Sequence, residues 1–123
     1  MTFAYWCVLA AACLPYLWVT VAKSKTGYNN HTPREFLSEA EGWRKRANWA
    51  QANAFENFPA FAAAVIISHL AKAPQESIDL HAGLFLIFRL LHGIFYITDK
   101  ASLRSMVWAA GFVCTIRLFT IAA

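Results

Sequence analysis

Arg46, Trp49, Asn53, Glu56 and Ala60 recur at i, i+3, i+7, i+10 and i+14. That spacing puts them on one face of a helix. Further on, Arg89, His92 and Tyr96 recur at i, i+3 and i+7 and share a second face, and Arg104 follows after a short turn. Together these side chains offer a carboxylate, an amide, a phenol, an imidazole and several guanidinium groups. Such a set suits a ligand bearing both signs of charge, with the carboxylate taking an ammonium and the guanidinium groups taking anions. All of them lie in otherwise apolar stretches. An ionisable group at the centre of a membrane span costs at least about 2.5–3.5 kcal/mol unless it is paired or wet. Direct pairing of Glu56 with Arg89 would make two of them struts of the fold. Two polar stripes plus an arginine at a helix start exceed what one ion pair needs, so a polar cleft for a charged ligand is the stronger expectation.

The elements that would carry these residues follow from the apolar runs. Residues 3–22 form a run of 20 residues without a charge. At about 1.5 Å per residue that is one hydrocarbon thickness. Pro15 is placed to kink it. Residues 23–45 are polar, with Gly27, Asn29, Asn30 and Pro33 as turn signals. Thr32, Pro33 and Glu35 read as the start of a short helix capped by Thr32. Further helices are predicted over 46–71, 80–97 and 102–122, joined by "KAPQESIDLH" and "TDKAS". Pro59 removes the helical donor to the carbonyl of Phe55. Within a bilayer only helices or closed barrels satisfy the backbone. The reading is an all-α integral membrane protein, a four-helix bundle forming a single domain over residues 1–123.

Composition supports the membrane and excludes other classes. Hydrophobic residues make up 59% of the 123 and charged residues only 15%, against about 25% charged in an ordinary soluble domain. The formal net charge is +4, but so apolar a chain has little surface for nucleic acid and no recognition motif, so no nucleic-acid partner is expected. Cys7, Cys13 and Cys114 are odd in number and form no CxxC, which argues against a disulfide framework. No His, Cys, Asp or Glu spacing indicates a metal, and His69 and His81 read as structural. The first segment has no basic residue before its apolar run and is read as retained.

Positive charge is lopsided. Lys23, Lys25, Arg34, Arg44, Lys45, Arg46, Lys100 and Arg104 flank the first and third connections, against Lys72 alone in the second. The positive-inside rule then puts those two connections in the cytoplasm and both termini outside.

The stretches "RANWAQANAFENFPAF" and "FRLLHGIFYITDKASLRSMVW" resemble the MAPEG family, the membrane-associated proteins of eicosanoid and glutathione metabolism. The resemblance covers most of the chain. It implies a homotrimer of four-helix subunits with glutathione, as co-substrate, between neighbouring subunits near the cytoplasmic face. Gln51, Asn53 and Glu56 match the family's motif on the second long helix, and Tyr96 matches a glutathione-contacting tyrosine. Arg104 matches the arginine that stabilises the glutathione thiolate in conjugating members, the one catalytic role assigned. Arg46, Arg89 and His92 complete the expected binding set. Two positions depart from the pattern: Trp49 stands where many members have arginine, with Arg46 one turn earlier to substitute, and Asn57 stands where eukaryotic members often have tyrosine. The short chain and clipped loops fit a bacterial-type member of the inner membrane.

The activity implied is that of a glutathione transferase, with peroxidase activity as an extension, acting on lipophilic electrophiles dissolved among the membrane lipids. A non-catalytic lipid-binding or scaffold protein of the same fold is the alternative, with Arg104 arguing against it and Trp49 for it. A small multidrug transporter fits the length, but that class carries its key glutamate on the first helix, which here has no charge.

Overall fold

The computed structural model describes residues 1–123 as five helices and no strand: α1 (Phe3–Lys23), α2 (Pro33–Ser38), α3 (Gly42–Leu70), α4 (Gln75–Ile97) and α5 (Ala101–Ile121). The expected helices are all present, but three begin earlier than the apolar runs do. α3 starts at Gly42 rather than at residue 46, and α4 at Gln75 rather than at 80. Hydrogen bonding extends a helix into polar sequence wherever nothing breaks it, whereas hydropathy marks only the apolar part. The short helix forms with Pro33 in its first turn, but Thr32 makes no side-chain cap bond. The first helix is instead capped by side chains: Thr2 Oγ1 accepts from the amide of Tyr5 (3.4 Å), and Asp79 of α4 accepts from that of Ala4 (2.9 Å). Pro15 and Pro59 both lie within helices that run on past them.

Three helices, not four, are long and apolar enough by composition to cross a membrane: α1, α4 and α5. α3 is the longest, at 29 residues. Its residues up to Asn57 include Arg44, Lys45, Arg46, Asn48, Gln51, Asn53 and Glu56, and only residues 58–67 are continuously apolar.

Small residues let the helices approach. Ala4, Cys7, Ala11 and Ala22 of α1 and Ala47, Ala50, Ala54 and Ala64 of α3 are all buried, the pattern that favours close packing where lipid removes the hydrophobic drive between helices. One core, centred on the parallel-stacked rings of Phe61 and Phe85 (3.8 Å between centroids), joins α1, α3, α4 and α5. A second, smaller one packs Leu14 and Trp18 against Ala50 and Ala54, next to Tyr96. Only 25 of 123 residues are buried, although 59% of the chain is hydrophobic. The remaining apolar side chains, Trp6, Leu17, Phe55 and Ile87 among them, form an apolar exterior, which a bilayer tolerates and water does not.

Two connections share one device. α3 ends with Lys72 at φ 57° and α4 with Asp99 at φ 59°. In each case the amide two residues past the cap reaches back to the last turn, Ala73 to Ser68 (3.0 Å) and Lys100 to Phe95 (2.9 Å). This is the Schellman closure. The second of these turns folds α5 back along α4 and sets Arg104 opposite Tyr96.

Candidate functional site

The site is organised by Asn53. Its Oδ1 accepts from Arg89 Nη2 (2.5 Å) and from Asn57 Nδ2 (3.2 Å), and its Nδ2 donates to Glu56 Oε2 (3.4 Å). Asn57 also donates to the Asn53 backbone carbonyl (2.8 Å). Arg89 and Glu56 are thus connected through an amide rather than in a direct ion pair. Arg89 is 3% exposed, and its other terminal nitrogen, Nη1, has no partner. A buried guanidinium held by one neutral amide is an electropositive support beneath the cleft.

Above it, two open depressions adjoin. One, of about 330 Å³, is walled by Trp49, Asn53, Glu56 and Tyr96. The other, of about 240 Å³, is walled by Asn53, His92, Tyr96, Arg104, Ser105 and Trp108. Asn53 and Tyr96 belong to both, so a carboxylate lies at one end of a continuous cleft and a guanidinium at the other. The aromatic groups order this cleft. The Arg104 guanidinium lies 4.4 Å over the Tyr96 ring, His92 meets that ring edge-on at 5.5 Å, and Trp49 tilts against it at 6.2 Å. Lys45 lies over the Trp49 ring at 5.2 Å. A cation over an aromatic face is held without a hydrogen bond, so the donors of Arg104 stay free for a ligand.

Five residues expected from the sequence therefore line the cleft: Asn53, Glu56, His92, Tyr96 and Arg104. Three do not. Arg46 donates through Nε to the carbonyl of Ile97 (3.1 Å), at the C-terminal end of α4, where a cation meets unpaired carbonyls and the negative end of the helix dipole. Gln51 faces α2 in a separate groove, because two residues on a helix are about 200° apart. Arg89 lies under the site and touches it through Asn53. Ser105 and Trp108 were missed, and Asn57, noted only as a departure from the family pattern, braces Asn53. The signal for two of them was simple spacing, since Trp108 is four residues past Arg104 and Asn57 four past Asn53. No three His, Cys, Asp or Glu side chains gather to hold a metal ion.

The family model described as MAPEG family matches residues 3–123. This protein belongs to the MAPEG family. No curated protein and no solved structure matches the chain. The MAPEG family includes glutathione transferases and peroxidases. In this MAPEG chain Asn53 and Glu56 of α3, Tyr96 of α4 and Arg104 of α5 border one cleft, while Trp49 contributes an indole wall.

Proposed function

We propose that this MAPEG protein is a membrane glutathione transferase with peroxidase-like capacity, activating a thiol for attack on lipophilic electrophiles. The observation that carries the reading is the order of groups along the cleft: Glu56, then Asn53 and Tyr96, then Arg104. Glutathione has an ammonium, two carboxylates and a thiol. Glu56 takes the ammonium and Asn53 donates to a neighbouring polar group. Arg104 faces the sulfur, where a fixed cation favours the thiolate. Attack then forms the carbon–sulfur bond on the electrophile and expels its leaving group, with the cleft fixing the approach.

The cleft is open in a single chain, and its polar face on α3 cannot meet lipid. In this reading α3 crosses the membrane with the other three long helices as a four-helix bundle, and three copies assemble so that neighbours cover the polar face and complete the glutathione site. In this reading the cleft lies near the cytoplasmic side of a bacterial inner membrane, with both termini outside, an orientation that the positive-inside count supports.

Trp49 favours a second reading, a non-catalytic lipid-binding or scaffold protein, because an indole stands where a further cation would hold a ligand carboxylate. Adding glutathione to the purified protein at neutral pH decides between them. Growth of thiolate ultraviolet absorbance together with conjugation of a lipophilic electrophile supports the transferase; binding without thiolate supports the scaffold.

A further inference from the structure

The two terminal nitrogens of Arg89 have different surroundings. Nη2 donates to Asn53, but Nη1 is buried and meets no acceptor in the protein. The same residue borders a small cavity of about 10 Å³ between α1, α3 and α4. The other walls are Ala11 and Leu14 of α1, Ala54 and Phe58 of α3, and Phe85 of α4. None of these five side chains carries a polar atom, so only backbone can answer a polar group there. α1 supplies it. Pro15 lies inside that helix and has no N–H, which leaves the carbonyl of Ala11, four residues back, without its helical donor. Ala11 is 4% exposed, so bulk solvent does not replace that donor. A buried donor and a buried acceptor, each short of a partner, thus belong to the walls of one cavity. Leaving either unmet is costly.

We infer that this cavity binds one ordered water, which accepts from Arg89 Nη1 and donates to the carbonyl of Ala11. Size selects the occupant, since a space of roughly 10–15 Å³ holds a single water and nothing larger. Polarity selects it again. A chloride ion would answer the guanidinium but would face the Ala11 oxygen, whereas water meets a donor and an acceptor at once. Two polar partners are the least that a buried water needs. The bridge ties α1 to α4 and gives the guanidinium a second fixed contact. The other end of that guanidinium orients the Asn53 amide, so the water supports the cleft from beneath and is no part of the ligand within it. Its place is the same whatever thiol the cleft takes.

The test uses the full chain in mild detergent, equilibrated with heavy-oxygen water and pulsed with X-rays. Radiolysis turns a bound water into a hydroxyl radical where it sits, so side chains beside it take up the heavy oxygen even when they are buried. Phe85, 2% exposed, should be labelled well above Ile78, which is 1% exposed and lies outside the cavity, after correction for the reactivity of each side-chain type. The label on Phe85 should be lost in Arg89→Met, because an apolar cavity stays dry. Pro15→Ala should fold, alanine being the best helix former. It returns an amide to the Ala11 carbonyl, so the label on Phe85 should fall there too. A wild-type Phe85 labelled no more than Ile78 overturns the inference without any variant. So does a label undiminished in Arg89→Met or in Pro15→Ala, and so does an experimental map that shows Glu56 on Nη1 in place of a water.

Discussion

Arg89 donates to Asn53 Oδ1 at 2.5 Å, and Glu56 meets the same amide from the other side at 3.4 Å. The two ionised groups therefore have separable roles. Asn53→Leu removes the only hydrogen-bond partner that the chain gives a buried guanidinium and should destabilise the ligand-free protein by about 1.5–3 kcal/mol, the scale of a hydrogen bond to a charged group. Glu56→Gln keeps the fold, because Glu56 is exposed and holds no buried cation directly. It should weaken glutathione binding by a similar amount through the lost ammonium contact. Melting curves with and without glutathione separate the two; a large fall for ligand-free Glu56→Gln would make Glu56 a strut of the bundle instead.

Arg104 is expected to set the thiol chemistry. A free thiol titrates near pH 8.5 and is mostly protonated at pH 7. A cation within about 4–6 Å lowers that value by roughly 1–3 units, and arginine keeps its own proton throughout. Arg104→Ala should abolish the thiolate absorbance and conjugation while glutathione still binds. Tyr96→Phe should keep the guanidinium in place, because the ring face rather than the hydroxyl holds it.

Gly93 is a packing requirement. A Cβ there would overlap the indole of Trp18, which is itself buried between helices. Gly93→Ala should lower stability by about 1–3 kcal/mol, the range for overfilling a packed core. Because Trp18 packs in the cluster beside Tyr96, glutathione affinity should fall with it. Gly83→Ala makes a useful control, since its Cβ would press only on the exposed Phe3 ring at 3.1 Å. Comparison of their melting temperatures in one detergent checks the claim.

Lys72 occupies the left-handed conformation that closes α3. A side chain costs about 1–2 kcal/mol there, and glycine recovers part of it while losing more entropy on folding. Lys72→Gly should raise stability by up to about 1 kcal/mol without touching the cleft, which would appear as a higher melting temperature at unchanged activity.

Orientation is open to a direct test. Reporter fusions at Ala123 and after Asn30 should report the outside and the cytoplasm respectively. A cytoplasmic C-terminus would reverse the bundle and move the cleft to the other leaflet.

Helix number, helix type and the polar stripe could be read from the chain alone, because apolar run length and 3.6-residue periodicity are local properties. Asn53 with Glu56, and His92 with Tyr96, were legible as shared faces for that reason, and the family motif added Arg104. Helix boundaries were less so: α4 begins in "QES", which hydropathy reads as loop. Partner choice was decided only in three dimensions. Arg46 shares the Asn53 face, yet its guanidinium closes the end of α4; Arg89 could have met Glu56, yet it meets Asn53. A long side chain reaches acceptors on several neighbouring helices. Which one it takes depends on where the Schellman turn at Asp99 and the close alanine contacts of α1 and α3 set those helices, and that placement is a property of the packed fold rather than of any one segment.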